Sequence, residues 1–133
     1  MPVRAKEFRY AVDLAEGGAL RTEDGTPLSD SPEWTPEHLV LAGLIRCSLK
    51  SLRYHAQRAG IEVAGASGSA RGLVTKRDGD ERYSIVETDV ALDVRLEPPP
   101  GEDELAELLA NAERDCFIGA SLTVKPVYRW TVG

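Results

Sequence analysis

Several things are scarce in this chain, and each shortage closes off a class of function. Of 133 residues only two are cysteine, Cys47 and Cys116, and only two are histidine, His38 and His55. Two cysteines do not make the disulfide framework that staples small secreted domains, so they are either inert core residues or a redox pair. There is no Cys-x-x-Cys, and His55 stands about 12 Å of helix from Cys47, so a zinc site has poor support and no metal or cofactor is expected. Long apolar runs are missing too: the longest, residues 39–45, is far short of the ~20 residues that span a bilayer. Basic residues are outnumbered, 16 Lys and Arg against 22 Asp and Glu. The resulting charge of −6 opposes non-specific binding to nucleic acid or to an anionic membrane. The opening MPVRAKEFRY carries charges where a signal peptide would be apolar, which makes the cytoplasm the expected location.

What the chain does have is one long helical signal, residues 34–60, WTPEHLVLAGLIRCSLKSLRYHAQRAG. Thr35 suits the N-cap, Pro36 the first helical position, and Glu37 the positive end of the helix dipole, while Gly60 supplies the stop. About 24 residues lie between these signals, roughly 36 Å of helix, close to the diameter of a domain of this size. Residues 39–45 are apolar on every side, as in a helix buried all round, and a single chain of this length would struggle to wrap it. A second copy is therefore expected to cover it. Further along, Ile45, Leu49, Leu52 and Ala56 form one stripe and Arg46, Lys50, Arg53 and Gln57 another. Cys47 points away from the first stripe, into polar-basic surroundings made by Arg46, Lys50 and Ser51, and a nearby cation favours the reactive thiolate. The alternative is a cysteine used as a small hydrophobe.

Around this helix the pattern alternates between strands and turns. Residues 7–15 alternate with Phe8, Tyr10, Val12 and Leu14 on one face; Gly17-Gly18 marks a hairpin, and residues 19–22 pair back. Residues 23–33 form an acidic loop with a short extended piece at Pro27-Leu28. After the helix come strands at residues 61–64 and 72–75 with a bulge or loop at Ser67-Gly68-Ser69, a turn at Asp78-Gly79-Asp80, and a long strand at residues 83–96. Pro98-Pro99-Pro100-Gly101 ends it. A second helix, residues 102–116, places Leu105, Leu108, Leu109, Ala112 and Cys116 on one stripe, and Gly119 stops it. The final strand, residues 122–132, is interrupted by Pro126, which points to an edge or a bend. This order is α+β in class, a single domain over residues 1–133: hairpin and loop to residue 33, central helix to 60, then strands, helix and strand.

The run Pro36-Glu37-His38-Leu39-Val40-Leu41-Ala42-Gly43-Leu44-Ile45-Arg46-Cys47 resembles the signature that opens the central helix in the OsmC/Ohr family. The segment Ala112-Glu113-Arg114-Asp115-Cys116-Phe117-Ile118-Gly119-Ala120-Ser121-Leu122 resembles that family's second cysteine segment, although Phe117-Ile118-Gly119-Ala120 departs from its usual Pro-Val-Ser-Asn type. The order of elements and the cysteine separation agree over nearly the whole chain. The resemblance implies an OsmC-like fold, with two helices packed with antiparallel sheets in an intertwined homodimer. It implies a thiol peroxidase acting on organic hydroperoxides, with a dithiol as reductant. By position, Cys47 would be the peroxidatic thiol and Cys116 the resolving one; Glu37 would match the glutamate that orients an arginine beside the thiol. Ohr-type members hold that arginine in a Gly-Gly-Arg turn. Here Gly17-Gly18-Ala19-Leu20-Arg21 makes Arg21 the nearest equivalent, two residues late, with Arg46 a second choice that points elsewhere.

Glu37 lies ten residues, about 15 Å, from Cys47 along one helix, so a role at Cys47 requires a second chain with its helix antiparallel. Its simpler role is that of a first-turn acid facing the dipole. Two rivals stand beside the peroxidase: a non-catalytic OsmC-like protein binding an apolar small molecule at the dimer interface, and a hot-dog-like fold, which the N-terminal hairpin and final strand suit less well.

Overall fold

The computed structural model describes residues 5–28 and 33–133. The chain divides into two compact units, Met1–Thr35 and Pro36–Gly133. The first holds a three-stranded antiparallel sheet of β1 (Val12–Leu14), β2 (Leu20–Thr22) and β3 (Pro27–Leu28). Gly18, at φ +95°, turns the chain between β1 and β2. Pairing covers less of the alternating stretch than its pattern promised, since β1 begins only at Val12. Tyr10, Val12 and Leu14 are exposed. Of the acidic loop, residues 29–32 lie outside the described residues, as do residues 1–4; the extended piece at Pro27-Leu28 is β3.

The second unit is built on α1 (Pro36–Arg58), which starts at the expected proline and ends just before Gly60, at φ +75°. Its inward stripe is Leu44, Ser48, Ser51, Leu52 and Ala56, not the Ile45–Leu49 line expected from apolarity alone. Two serines, Ser48 and Ser51, are buried on that inward line beside the leucines. The apolar segment before Ile45 is only half-buried apart from Leu44, so within one chain it is not covered all round.

β4 (Glu62–Lys76) and β5 (Tyr83–Glu97) form a long antiparallel hairpin. The expected break at Ser67-Gly68-Ser69 is instead continuous pairing, and the irregularities fall between Val63 and Gly65 and between Leu73 and Val74. Gly68 explains the continuity: a Cβ there would meet the Ala91 carbonyl and lie 2.7 Å from Leu92 Cδ2, so glycine here marks close approach rather than a turn. At the hairpin tip Gly79 has φ +99°, and the Arg77 guanidinium and Arg82 N–H hold the Asp80 carboxyl down at about 2. Val90, Leu92, Val94 and Leu96 alternate inward along β5.

α2 (Glu102–Arg114) ends earlier than its apolar stripe implies. Asp115 is drawn to Arg114 at 3.0 Å and to His55 Nε2 at 2.8 Å, and the chain then restarts as α3 (Phe117–Ser121). β6 (Val127–Val132), preceded by Pro126, runs parallel to β5 at the sheet edge. A helical crossover between parallel strands thus sits inside an otherwise antiparallel arrangement. The class is α+β as expected. Among the described residues no helix is long and apolar enough to cross a membrane.

Candidate functional site

The crossover decides where chemistry can occur. Running from β5 through α2 and α3 to β6, it lays Cys116 over the sheet and against α1. Leu44, Val90, Leu92 and Cys116 are buried together, with Cys47, Ile45, Leu122, Tyr128 and Trp130 packed on them. Two cysteines 69 positions apart in sequence therefore share one cluster. Both are free thiols; Cys47 is half-buried and Cys116 has no exposed surface.

Each sulfur accepts a backbone N–H from the short α3 segment. Ile118 N–H donates to Cys47 Sγ at 3.4 Å, and Gly119 N–H donates to Cys116 Sγ at 3.4 Å, so Cys116 acts as the N-cap of α3. The two thiols are near enough to act on each other's charge. Behind Cys116, the Ser48 hydroxyl lies 3.7 Å from Cys116 Sγ, 2.9 Å from the Tyr128 hydroxyl and 2.8 Å from the Leu44 carbonyl, to which it donates. Tyr128 stacks on Trp130 with rings 5.8 Å apart and nearly parallel, and Trp130 Nε1 donates to Glu113 at 2.8 Å. Burial pushes the Tyr128 phenol up to about 12. Tyr128 also lines a cavity of about 570 Å³, together with Glu113, Gly119, Leu122, Lys125 and Pro126.

The surroundings expected for Cys47 need correction. Arg46 and Lys50 are exposed on α1, while Cys47 turns toward the apolar cluster. Burial is the first influence on its thiol and pushes it up; the neighbouring Cys116 adds to this, and the N–H groups of Ile118 and Phe117 oppose it. Arg46, one residue before Cys47, points about 100° away around the helix. Lys50, although a helical neighbour at i+3, is exposed and carries its charge on a long stem into solvent. Cys116 is likewise displaced from the last turn of α2 to the cap of α3, still on the buried line that Leu108 and Ala112 begin.

Glu37 occupies the first turn of α1 and is exposed, remote from the Cys47 of its own helix by the ten-residue rise. Arg21 lies on β2, exposed, opposite Asp13 in the register of the other unit. Ser48 and Tyr128 escaped the sequence reading. One signal was available for Ser48, namely its spacing of four from Leu44 and from Leu52 on the interior line. Nothing in the chain announces Tyr128, whose contact arises from the parallel pairing of β6. His55 takes Asp115 as its partner, and no group of three or more potential metal ligands occurs among the described residues.

Comparison with solved structures places the fold. An OsmC-like protein of Mycoplasma pneumoniae shares 16% identity at TM-score 0.72, covering 97% of this chain and 99% of that one. An organic hydroperoxide resistance protein of Elizabethkingia anophelis gives 14% and 0.69 over 98% and 100%, and one from Bacillus subtilis 19% and 0.59 over 92% and 96%. No curated protein matches the sequence. The family model described as OsmC-like protein matches residues 29–130, which include both cysteines, α1 and the crossover. With the fold and that match in agreement, the chain belongs to the OsmC-like protein family.

Proposed function

We propose that the protein is a thiol-dependent peroxidase that reduces organic hydroperoxides through Cys47, with Cys116 as the resolving thiol. One observation carries this reading: two free thiols, distant in sequence, meet in one apolar cluster, one half-exposed and one buried. The family and the hydroperoxide resistance proteins of the same fold make a peroxide-related role the natural context.

The chemistry balances on these two sulfurs. The Cys47 thiolate attacks one oxygen of the hydroperoxide, the O–O bond breaks, and the alkoxide leaves as an alcohol after taking a proton. Cys47 is then a sulfenic acid. Cys116 attacks its sulfur, a disulfide forms and water leaves; an external dithiol reopens the disulfide by exchange. The Ile118 and Phe117 N–H groups favour the Cys47 anion, and the Leu44, Ile45 and Leu122 surroundings favour an alkyl group over water.

Burial of Cys47 leaves a demand for a cation, and Arg21 is assigned to meet it. Glu37 orients that arginine from a second copy whose α1 runs antiparallel, in an intertwined homodimer of single-domain chains. The half-buried apolar surface before Ile45 and the 15 Å rise between Glu37 and Cys47 both favour this assembly. The raised thiol of Cys47 in the single chain also gives weight to a second reading, a non-catalytic protein binding an apolar molecule at the dimer interface.

An assay with a dithiol reductant separates the two. The wild-type protein should consume cumene hydroperoxide in step with dithiol oxidation, and prefer it to hydrogen peroxide. Consumption no faster than the protein-free background contradicts the peroxidase and leaves the binding protein standing.

A further inference from the structure

The peroxidase reading needs the sulfur of Cys116 to become a nucleophile, yet that sulfur is wholly enclosed and sits beside a second wholly enclosed polar group, the Ser48 hydroxyl. An anion in such a place is costly unless hydrogen bonds are aimed at it. Ser48 has one hydroxyl proton and three neighbours: Leu44 O at 2.8 Å, Tyr128 OH at 2.9 Å and Cys116 Sγ at 3.7 Å. With its proton on the Leu44 carbonyl, Ser48 can only accept from the other two, so Tyr128 O–H and Cys116 S–H both point at it. That arrangement suits a resting thiol, which in turn accepts the Gly119 N–H. The Leu44 carbonyl also lies in α1, where the backbone N–H four residues on is its ordinary partner. The Ser48 proton is therefore surplus there and free to turn to the sulfur once Cys116 ionises, while Tyr128 continues to donate to Ser48. The sulfur anion would then hold two donors, Ser48 O–H and Gly119 N–H.

We propose that Ser48 and Tyr128 are positioning residues for the resolving step, a two-hydroxyl chain that presents the buried Cys116 sulfur as a nucleophile to oxidised Cys47. The inference rests on the redox-pair reading. In the step it serves, Cys116 gives up its proton on ionising, and its sulfur forms the S–S bond as the S–O bond of the Cys47 sulfenic acid breaks. The departing hydroxide takes up one proton in exchange for the one released and leaves as water. Tyr128 stays a donor throughout, because burial keeps its phenol protonated. Its ring is fixed by Trp130, which Glu113 anchors.

The test is a single turnover with one equivalent of cumene hydroperoxide, quenched at intervals and read by mass spectrometry, in wild type, Ser48→Ala, Tyr128→Phe and the double variant. Formation of the Cys47 sulfenic acid should be unchanged within about twofold, whereas closure of the disulfide should slow roughly tenfold, the worth of one hydrogen bond to a charged group. The double variant should be no slower than Ser48→Ala, since Tyr128 acts through Ser48. Excess peroxide should raise Cys47 sulfinic acid in the variants. Closure at the wild-type rate, or equal slowing of both steps as a structural defect would give, overturns the proposal. Diamide closes the same disulfide without peroxide. A wild type inert to hydroperoxide but closed by diamide sinks the peroxidase reading, and the variants' closure rates with diamide still decide this one. Closure with neither oxidant overturns both.

Discussion

Cys47→Ser should abolish dithiol-dependent hydroperoxide consumption, by on the order of 1,000-fold or more, because a serine hydroxyl does not ionise near neutral pH and the thiolate is the nucleophile. The substitution removes one sulfur from a half-exposed site, so the fold should hold and the loss should be chemical. Cys116→Ser should separate the two steps. Oxidation of Cys47 should proceed at close to the wild-type rate, but the sulfenic acid should persist and pass to sulfinic acid with excess peroxide, since no partner thiol removes it. A single-turnover experiment on both variants checks this. Equal loss of the first step in both would mean that Cys116 acts through structure alone.

Arg21→Ala carries the second large effect, and its sign follows from the thiol's surroundings. Burial raises Cys47 above an ordinary thiol, and the Ile118 and Phe117 N–H groups offset only part of this. A cation within a few ångströms lowers a thiol by one to three units, so its removal should cut the thiolate fraction at neutral pH, and with it the rate of peroxide reduction, by about 100-fold. The loss should shrink as pH rises, because both proteins carry the thiolate once the pH passes the variant's higher midpoint. Alkylation of Cys47 by iodoacetamide as a function of pH measures this directly. The Arg21→Ala midpoint should lie above that of wild type. Coincident midpoints would remove Arg21 from the site and move the search for a cation elsewhere. Glu37→Gln should shift the midpoint in the same direction by less, because in the proposed site Glu37 acts only through the arginine.

The sequence was most legible where one residue decides the local geometry. Pro36 starts α1, Gly60 and Gly79 turn the chain at positive φ, and the prolines after Glu97 end β5. The alternation Val90, Leu92, Val94, Leu96 announced a strand with one buried face. Misreadings arose where tertiary contact overrides local preference. Gly68 looks like a breaker, but it lets β4 pass close to β5. The stripe ending in Cys116 looks like one helix, yet Asp115 is held by Arg114 and His55, and the sulfur caps the next turn instead.

The site was half legible for the same reason. Cys47 and Cys116 could be named because their residue types are few and their motifs resemble a family. Their meeting is a product of the parallel β5–β6 crossover, which no local pattern encodes. The basic neighbours of Cys47 in sequence proved to face solvent, so proximity along the chain misjudged the charge around the sulfur. Ser48 is polar on an interior line, and that mismatch between residue type and position was its only advertisement.

The central claim is that Cys47 and Cys116 form a redox pair driven by an organic hydroperoxide, and its most direct test is mass spectrometry after one equivalent of cumene hydroperoxide under non-reducing digestion. A peptide pair joining Cys47 to Cys116 is expected, reversed by a dithiol and absent in Cys47→Ser. Two unmodified thiols after that exposure, with the hydroperoxide still present, would contradict it.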